Sequence, residues 1–409
     1  MLTKKVSVIL GVCLATTSSV RAQERFGLRG VGDITLARGG VNAAAQSDRR
    51  SQLNGQFTLL GSVRLSRNLI GLYEGRVNRL DELTSPPRSQ RTNVNGVLQA
   101  YLRYSPDGRP QFNLQVGKFG SPFGNFLTRN YANDNPLVGA PLIYAHRLPI
   151  RTDEVPDGAY DLVYARGRIQ NSGLYNSAYR STGWLPLIGL SYPTGAMFFG
   201  NAGRTDYRVA LVNSSLSNSL NLGVPGQRPQ WVAAGGMTLV PALRIGSSFA
   251  QGPYLDPVVR PRLPAGTRFS DFTQRALGFD LQWAFRHLEV HAELLFNNLK
   301  VPNVPQRLGA TGYFLEMKQT WTPRFFTAVR WNQIYFDRIR RTTPYYGHPR
   351  YDYNVNSLEL GLGWRFSENL LLKASSQFNR TLAPVDPNDN IVGAQLVYTF
   401  DLRTLLKIR

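Results

Sequence analysis

The stretch Arg286-His-Leu-Glu-Val-His-Ala-Glu-Leu-Leu-Phe296 alternates polar and apolar side chains almost without a break. Leu288, Val290, Ala292, Leu294 and Phe296 share one face, and His287, Glu289, His291 and Glu293 share the other. Successive side chains of a strand point to opposite sides, so this is a strand with one apolar and one charged side. The pattern recurs along the chain. In 53–65, Phe57, Leu59, Val63 and Leu65 oppose Gln56, Thr58, Ser62 and Arg64. In 353–366, Leu358, Leu360, Leu362 and Trp364 oppose Ser357, Glu359, Gly361 and Arg365. In 369–379, Leu370, Leu372 and Ala374 oppose Lys373, Ser375 and Gln377.

Sixteen segments read as such strands: 26–37, 53–65, 68–78, 93–104, 110–118, 194–200, 205–213, 230–239, 242–252, 273–285, 287–297, 309–319, 323–336, 353–366, 369–379 and 391–400. Seven connections are short: Ser66-Arg67, Ser105–Arg109, Asn201–Arg204, Val240-Pro241, Arg286, Thr320–Thr322 and Ser367-Glu368. Eight are long, near 38–52, 79–92, 119–193, 214–229, 253–272, 298–308, 337–352 and 380–390. Short and long alternate strictly. A propeller or a stack of sandwiches has no reason to alternate this way. A membrane-spanning barrel does, with an even strand number, tight turns at one end and long loops at the other. The fold class expected is therefore all-β, a closed antiparallel transmembrane β-barrel of about 16 strands, with 14 or 18 as the alternatives. Parity forces one assignment. Gly158–Arg166 has a strand-like composition, but as a wall strand it would put a long loop among the turns, so it is placed within the third loop. Lipid cannot solvate charge, so the apolar face points outward and the polar face lines the lumen.

The composition agrees with this architecture. Charged residues make up only 18% of the chain, yet no run of eighteen apolar residues exists, so no helix spans a bilayer. The N-terminus reads as a secretory leader: Lys4 and Lys5, the apolar stretch Val6–Ala15, then small residues around Ala22. Cleavage there leaves one unit, 23–409, bound for the outer membrane. It also removes Cys13, the single cysteine, and with it disulfides, thiol catalysis and thiolate metal sites. Three of the charges in the formal +21 go with the leader. What remains is nearly all arginine, with five lysines. Arginine's planar fork suits phosphate and carboxylate; an arginine-biased genome would produce the same composition without a purpose.

Leader, sixteen amphipathic strands and an outsized third loop together resemble the outer-membrane porins of diderm bacteria. In that family the third loop folds back into the barrel and narrows the pore. The resemblance covers the whole mature chain. It implies the barrel-assembly machinery as a partner and a homotrimer as the family habit. At the start of the loop, Val116-Gly-Lys-Phe-Gly-Ser-Pro-Phe-Gly-Asn-Phe126 is similar to a segment of the phosphate-selective porins, where Gly-x-Phe-x-x-Pro-Phe follows a strand. The same Gly and Pro would also serve simply to build the turn into the loop. One feature departs from the family: porins end on the aromatic residue that closes the last strand, whereas Asp401–Arg409 follow Phe400 here.

Alternation assigns a lumen-facing basic set, Arg64, Arg76, Arg103, Arg208, Arg244, Lys318, Arg330, Arg365 and Lys373, and an acidic set, Glu74, Asp280, Glu289, Glu293, Glu316 and Glu359. Rings of basic side chains favour anions in a pore. The third loop adds Arg129, Arg147, Arg151, Arg166, Arg168 and Arg180, opposed by Asp134, Asp153, Glu154, Asp157 and Asp161. The resemblance implies that basic wall residues face acidic loop residues across a constriction. Charges that merely pair and solvate the lumen would give the same list.

Other chemistries find less support. His287, Glu289, His291 and Glu293 share a face, but residues i and i+4 of a strand stand roughly 13 Å apart, so one strand cannot wrap four ligands around an ion. No nucleophile elbow, phosphate-binding glycine loop or His-Glu-x-x-His motif is present. A barrel enzyme or adhesin is the alternative of another class. Tyr345, Tyr346 and Tyr351 stand beside arginine in 341–353, but in a membrane-embedded chain they belong to a loop or headgroup belt rather than to a nucleic-acid site. The expectation is a non-enzymatic porin without cofactor or metal, surrounded by outer-membrane lipids. It would pass small hydrophilic solutes by diffusion with some anion preference, or select phosphate or another small oxyanion.

Overall fold

The computed structural model describes residues 26–39, 51–78, 96–107, 109–163, 184–213, 215–218, 228–340, 349–383 and 390–401. The leader expected at 1–22 and the residues after Asp401 lie outside them. Eighteen strands run in chain order: β1 (Phe26–Gly39), β2 (Ser51–Arg64), β3 (Leu69–Asn78), β4 (Gly96–Tyr104), β5 (Asn113–Lys118), β6 (Arg147–Arg151), β7 (Trp184–Pro186), β8 (Thr194–Ala202), β9 (Thr205–Asn213), β10 (Pro229–Val240), β11 (Leu243–Pro253), β12 (Thr273–Phe285), β13 (Leu288–Lys300), β14 (Arg307–Thr320), β15 (Phe325–Phe336), β16 (Val355–Arg365), β17 (Leu370–Thr381) and β18 (Ile391–Asp401). Sixteen of them pair antiparallel with their neighbours into one closed barrel, and β1 meets β18 in register from Arg29↔Asp401 to Gly39↔Ile391. The strands β6 and β7 pair with each other inside the third loop, and β5 pairs directly with β8 across that insertion. No wall-strand boundary differs from the sequence reading by more than three residues. Of the strand-like stretch 158–166, residues 159–163 are helical and not part of the wall, and 164–166 lie outside the described residues.

The tight turns have local causes. The connection from β12 to β13 is Arg286-His287, with Arg286 at φ 55, in the left-handed region that a two-residue hairpin demands. Gly203, at φ 61, does the same between β8 and β9 without a side-chain penalty.

The outer face is apolar, as alternation requires: Phe57, Val63, Phe279, Leu360, Leu362 and Trp364 are all exposed there. Near the tight turns it carries packed aromatic pairs, Trp283 with Phe285, Phe325 with Trp364, and Tyr398 with Phe400. Such rings form the girdle of a membrane barrel at the interface. Phe400 closes the last strand on this face: its ring stacks on Phe57 and fills the space over Gly30 that a Cβ would need.

The lumen corrects one expectation. It is not polar throughout. The inward residues Val212, Val232, Leu295, Leu299, Leu308, Phe314, Ile334 and Phe336 join Phe119, Phe123, Phe126, Ile143, Leu148, Ile150, Leu185 and Leu187 of the third loop in one buried apolar cluster. Much of the half nearest the long loops is thus a core packed inside the barrel.

Candidate functional site: the lumen and its third loop

The third loop leaves the wall as a continuation of the β5–β8 pairing, with Phe119 N donating to Pro193 O at 3.0 Å and Ser121 N to Ser191 O at 2.9 Å. It then crosses the barrel interior, tied to inward side chains at each step. Gly124 N donates to Ser248 Oγ of β11 at 3.1 Å. Glu293 of β13 accepts from Asn125 N (2.9 Å), Phe126 N (2.7 Å) and the Tyr144 hydroxyl (2.6 Å). Arg129 pairs with Glu316 of β14 at 2.7 Å. On the far side, the Tyr131 hydroxyl donates to Glu74 of β3 at 2.8 Å. Burial and the Glu74 charge push the Tyr131 phenol well above its ordinary range, so it remains a donor. The return path passes Gly139 N, which donates to Glu359 of β16 at 3.1 Å, and Leu142 N, which donates to Asn332 of β15 at 3.0 Å.

Two wall cations hold the middle of this path. Arg330 is 0% exposed. Its guanidinium donates to Glu316 (2.8 Å from Nε), to Glu359 (3.0 Å), to Gly139 O (2.8 Å) and to Asn135 Oδ1 (2.9 Å). Lys373, also 0% exposed, spends its three protons on the carbonyls of Ala132 (2.7 Å), Asn135 (2.8 Å) and Leu137 (3.1 Å). Both point inward as alternation requires, yet neither lines an aqueous path; they clamp the loop to the wall. The same correction applies to Glu74, Glu293, Glu316 and Glu359, which are buried under the loop as its acceptors, and to Arg76, which is buried with its Nε donating to Thr58 at 3.2 Å. Within this buried set, Arg76, Arg129, Arg330 and Lys373 face Asp33, Glu74, Glu293, Glu316 and Glu359, four basic charges against five acidic.

The loop charges expected at the constriction divide. Arg129 and Asp134 lie in the segment that crosses the lumen. Burial pushes the Asp134 carboxyl above its ordinary range, while Arg29, Arg365, Lys373 and Arg129 pull it back. Arg147 and Arg151 begin and end β6, and Arg151 pairs with Asp153 (2.7 Å) and Glu154 (3.2 Å). This segment packs on the long connections: Asp256 N donates to Thr152 O at 2.8 Å, Asn303 to Pro156 O at 2.9 Å, and His146 meets Asp352 at 2.9 Å. Arg147, Arg151, Asp153 and Glu154 therefore lie at the long-loop end, not in mid-lumen. Arg166, Arg168 and Arg180 lie outside the described residues.

The inward charges still open to solvent cluster at the tight-turn end. They are Arg29, Arg64, Arg103, Arg208, Arg244, Lys318 and Arg365, against Asp206, Glu289 and Asp401 of the wall and the exposed Asp134 of the loop; Asp280 is buried among them. Arg244 bridges Asp206 and Asp280, each at 2.8 Å, and lies over Gly236, where a Cβ would collide with it. Arg208 stands 3.7 Å from Asp206, and Lys318 pairs with Glu289 at 2.7 Å. Arg103 donates to Gln115 (3.1 Å and 3.2 Å), and its guanidinium carbon lies 5.6 Å and 5.2 Å from the Tyr101 and Phe199 ring centres. Arg29, Arg64 and Arg365 make no ion pair with any described residue. Arg29 and Asp206 were within reach of sequence reasoning, since both share a face with assigned lumen residues; Tyr131, Asn135 and the loop carbonyls were not, since a loop has no period.

The loop-entry motif has a packing role. Gly117, at φ 134, lies so close to Ala100 O and Tyr101 that no Cβ fits, and Phe119 and Phe123 bury themselves in the luminal core. The four-residue face His287–Glu293 is dispersed: Glu289 goes to Lys318 and Glu293 to the loop.

No family model matches this chain, and no curated protein does. Among solved structures it is similar to an anion-selective porin from Comamonas acidovorans, at a TM-score of 0.57 and 10% identity over 92% of this chain and 99% of that one. A Salmonella typhi OmpF complex with daunomycin matches at 0.56 and 11%, over 92% and 97%. The trimer form of OmpT from Vibrio cholerae matches at 0.53 and 9%, over 92% and 99%. Identities this low speak for the fold alone: a porin-like, sixteen-stranded outer-membrane barrel with channel architecture.

Proposed function

We propose that this protein is a passive outer-membrane channel for small hydrophilic solutes, with a preference for anions. One observation carries the reading. The buried charges under the third loop run to four basic against five acidic, whereas the solvent-accessible charges of the tight-turn half run to seven basic against four acidic. Three of the cations, Arg29, Arg64 and Arg365, make no ion pair with any described residue. A vestibule lined by one sign of charge raises the local concentration of the opposite ion. The third loop, anchored from β3 to β17, is the constriction that solutes pass, and Asp134 faces Arg29 and Arg365 there. The long loops are extracellular and the tight turns periplasmic. A homotrimer is the assembly proposed, after the trimer form of the OmpT structure. Insertion of purified protein into planar bilayers tests the reading: stepwise ohmic conductance with a reversal potential of anion sign supports it, and absence of steps from folded protein refutes it. Block of a chloride current by millimolar phosphate would instead favour selection of an oxyanion.

A further inference from the structure

Three cations stand on the outer wall at the long-loop ends of adjacent strands. Arg275 of β12 lies on the lipid-facing side with Leu277 and Phe279, Lys300 of β13 with Phe296, and Arg307 of β14 with Tyr313 and Leu315. Lys300 and Arg307 are register partners. Arg307 Nη2 lies 3.5 Å from Thr273 Oγ1, so its side chain reaches across β13 to β12. Its Nη1 is buried with no hydrogen-bond partner among the described residues, and none of the three cations has a described carboxylate within 4 Å. Among the described residues the ring near Lys300 Nζ is Phe272, at 5.4 Å. On the outward face Arg275 follows Leu277 directly, Lys300 follows Phe296 after Asn298, and Arg307 follows Tyr313 after Thr311 and Gly309, so all three lie beyond the apolar band, toward the headgroups. Uncompensated like charges held together on a lipid-facing wall repel one another, unless an anion joins them.

We propose that this triad binds the phosphates of a phosphorylated glycolipid of the outer leaflet, a reading that rests on the long loops being extracellular. Two guanidinium forks and an ammonium match phosphate oxygens, and arginine does so bidentately. The same face supplies a place for the tails. On the outer side of β10–β14, Gly235, Ser247 and Ala292 floor a depression of ≈ 930 Å³ edged by Met237, Phe279 and Leu315. Phe279 is four residues below Arg275, roughly 13 Å along the strand, within the depth of about 15 Å that one leaflet's hydrocarbon occupies. Among the described residues, Arg38 on β1 and Arg380 on β17 are outward cations at this rim that stand singly. They are the internal control.

The full chain in detergent is offered diphosphorylated lipid A, the same glycolipid without phosphates, and phosphatidylglycerol, and bound lipid is read by native mass spectrometry. The wild type is expected to retain diphosphorylated lipid A at least tenfold over the phosphate-free form. The Arg275→Gln, Lys300→Gln, Arg307→Gln variant should lose that preference while its bilayer conductance and ion selectivity stay unchanged. The Arg38→Gln, Arg380→Gln variant should keep it. Equal retention by the triad variant, or by the wild type for both glycolipids, overturns the proposal. A wild type that prefers phosphatidylglycerol also overturns it, and epitope tags in the long loops then tell why. Tags hidden on intact cells put the fault in the orientation; tags accessible there put it in the site.

Discussion

Arg330 and Arg365 both face inward, and nothing in their neighbouring sequence tells them apart. The structure separates them by what the third loop covers. Arg330 is buried between Glu316 and Glu359; removing it leaves two buried carboxylates short of their partner. Arg330→Gln should therefore cost about 3–5 kcal/mol in unfolding experiments, with noisier current as the loop loosens. Arg365→Gln should stay within about 0.5 kcal/mol of wild type and alter selectivity alone. Equal stability of the two variants would mean that Arg330 does not clamp the loop. At the same scale, Asp134 gives a pH dependence. Its carboxyl is raised by burial, so it takes up its proton, as pH falls, before an ordinary aspartate does. That removes a negative charge opposite Arg29 and Arg365, so anion preference should rise on mild acidification. Asp134→Asn should hold the higher preference across the same pH range; an unchanged slope in that variant would exclude Asp134 as the titrating group.

The strands were legible because lipid and lumen impose opposite demands on alternate residues. The one break in the opening stretch, Leu295 between Leu294 and Phe296, was legible too in hindsight: it faces inward and meets the loop core. Which lumen residues stay wet could not be read. That depends on where residues 119–163 turn, and those turns are set by contacts to Glu293, Lys373 and Glu359, far away in sequence. The facing rule itself makes a prediction on β12. Phe279, 45% exposed on the outer wall, should tolerate arginine poorly, at about 2–4 kcal/mol near the midplane. Gln282, on the opposite face and half-buried, should accept arginine with little loss of folded barrel on heat-modifiable gels. Equal tolerance would undo the facial assignment for that strand.

Across the whole molecule, two kinds of interior share one barrel. Toward the long loops an apolar core and a set of mutually opposed buried charges fix the third loop in place. Toward the tight turns an open, net-basic vestibule remains. In the proposed function this vestibule sets ion preference, and reversal potentials under a salt gradient measure that preference. Changing Arg29, Arg64 and Arg365 together to glutamate reverses three unpaired charges without touching the loop clamps. Screening acts over about 8 Å at physiological salt, so the effect should be large in dilute salt and shrink as salt rises. The expected result is a shift from anion toward cation selectivity with conductance steps retained. A triple variant that conducts with an unchanged anion-to-cation ratio in dilute salt would contradict it.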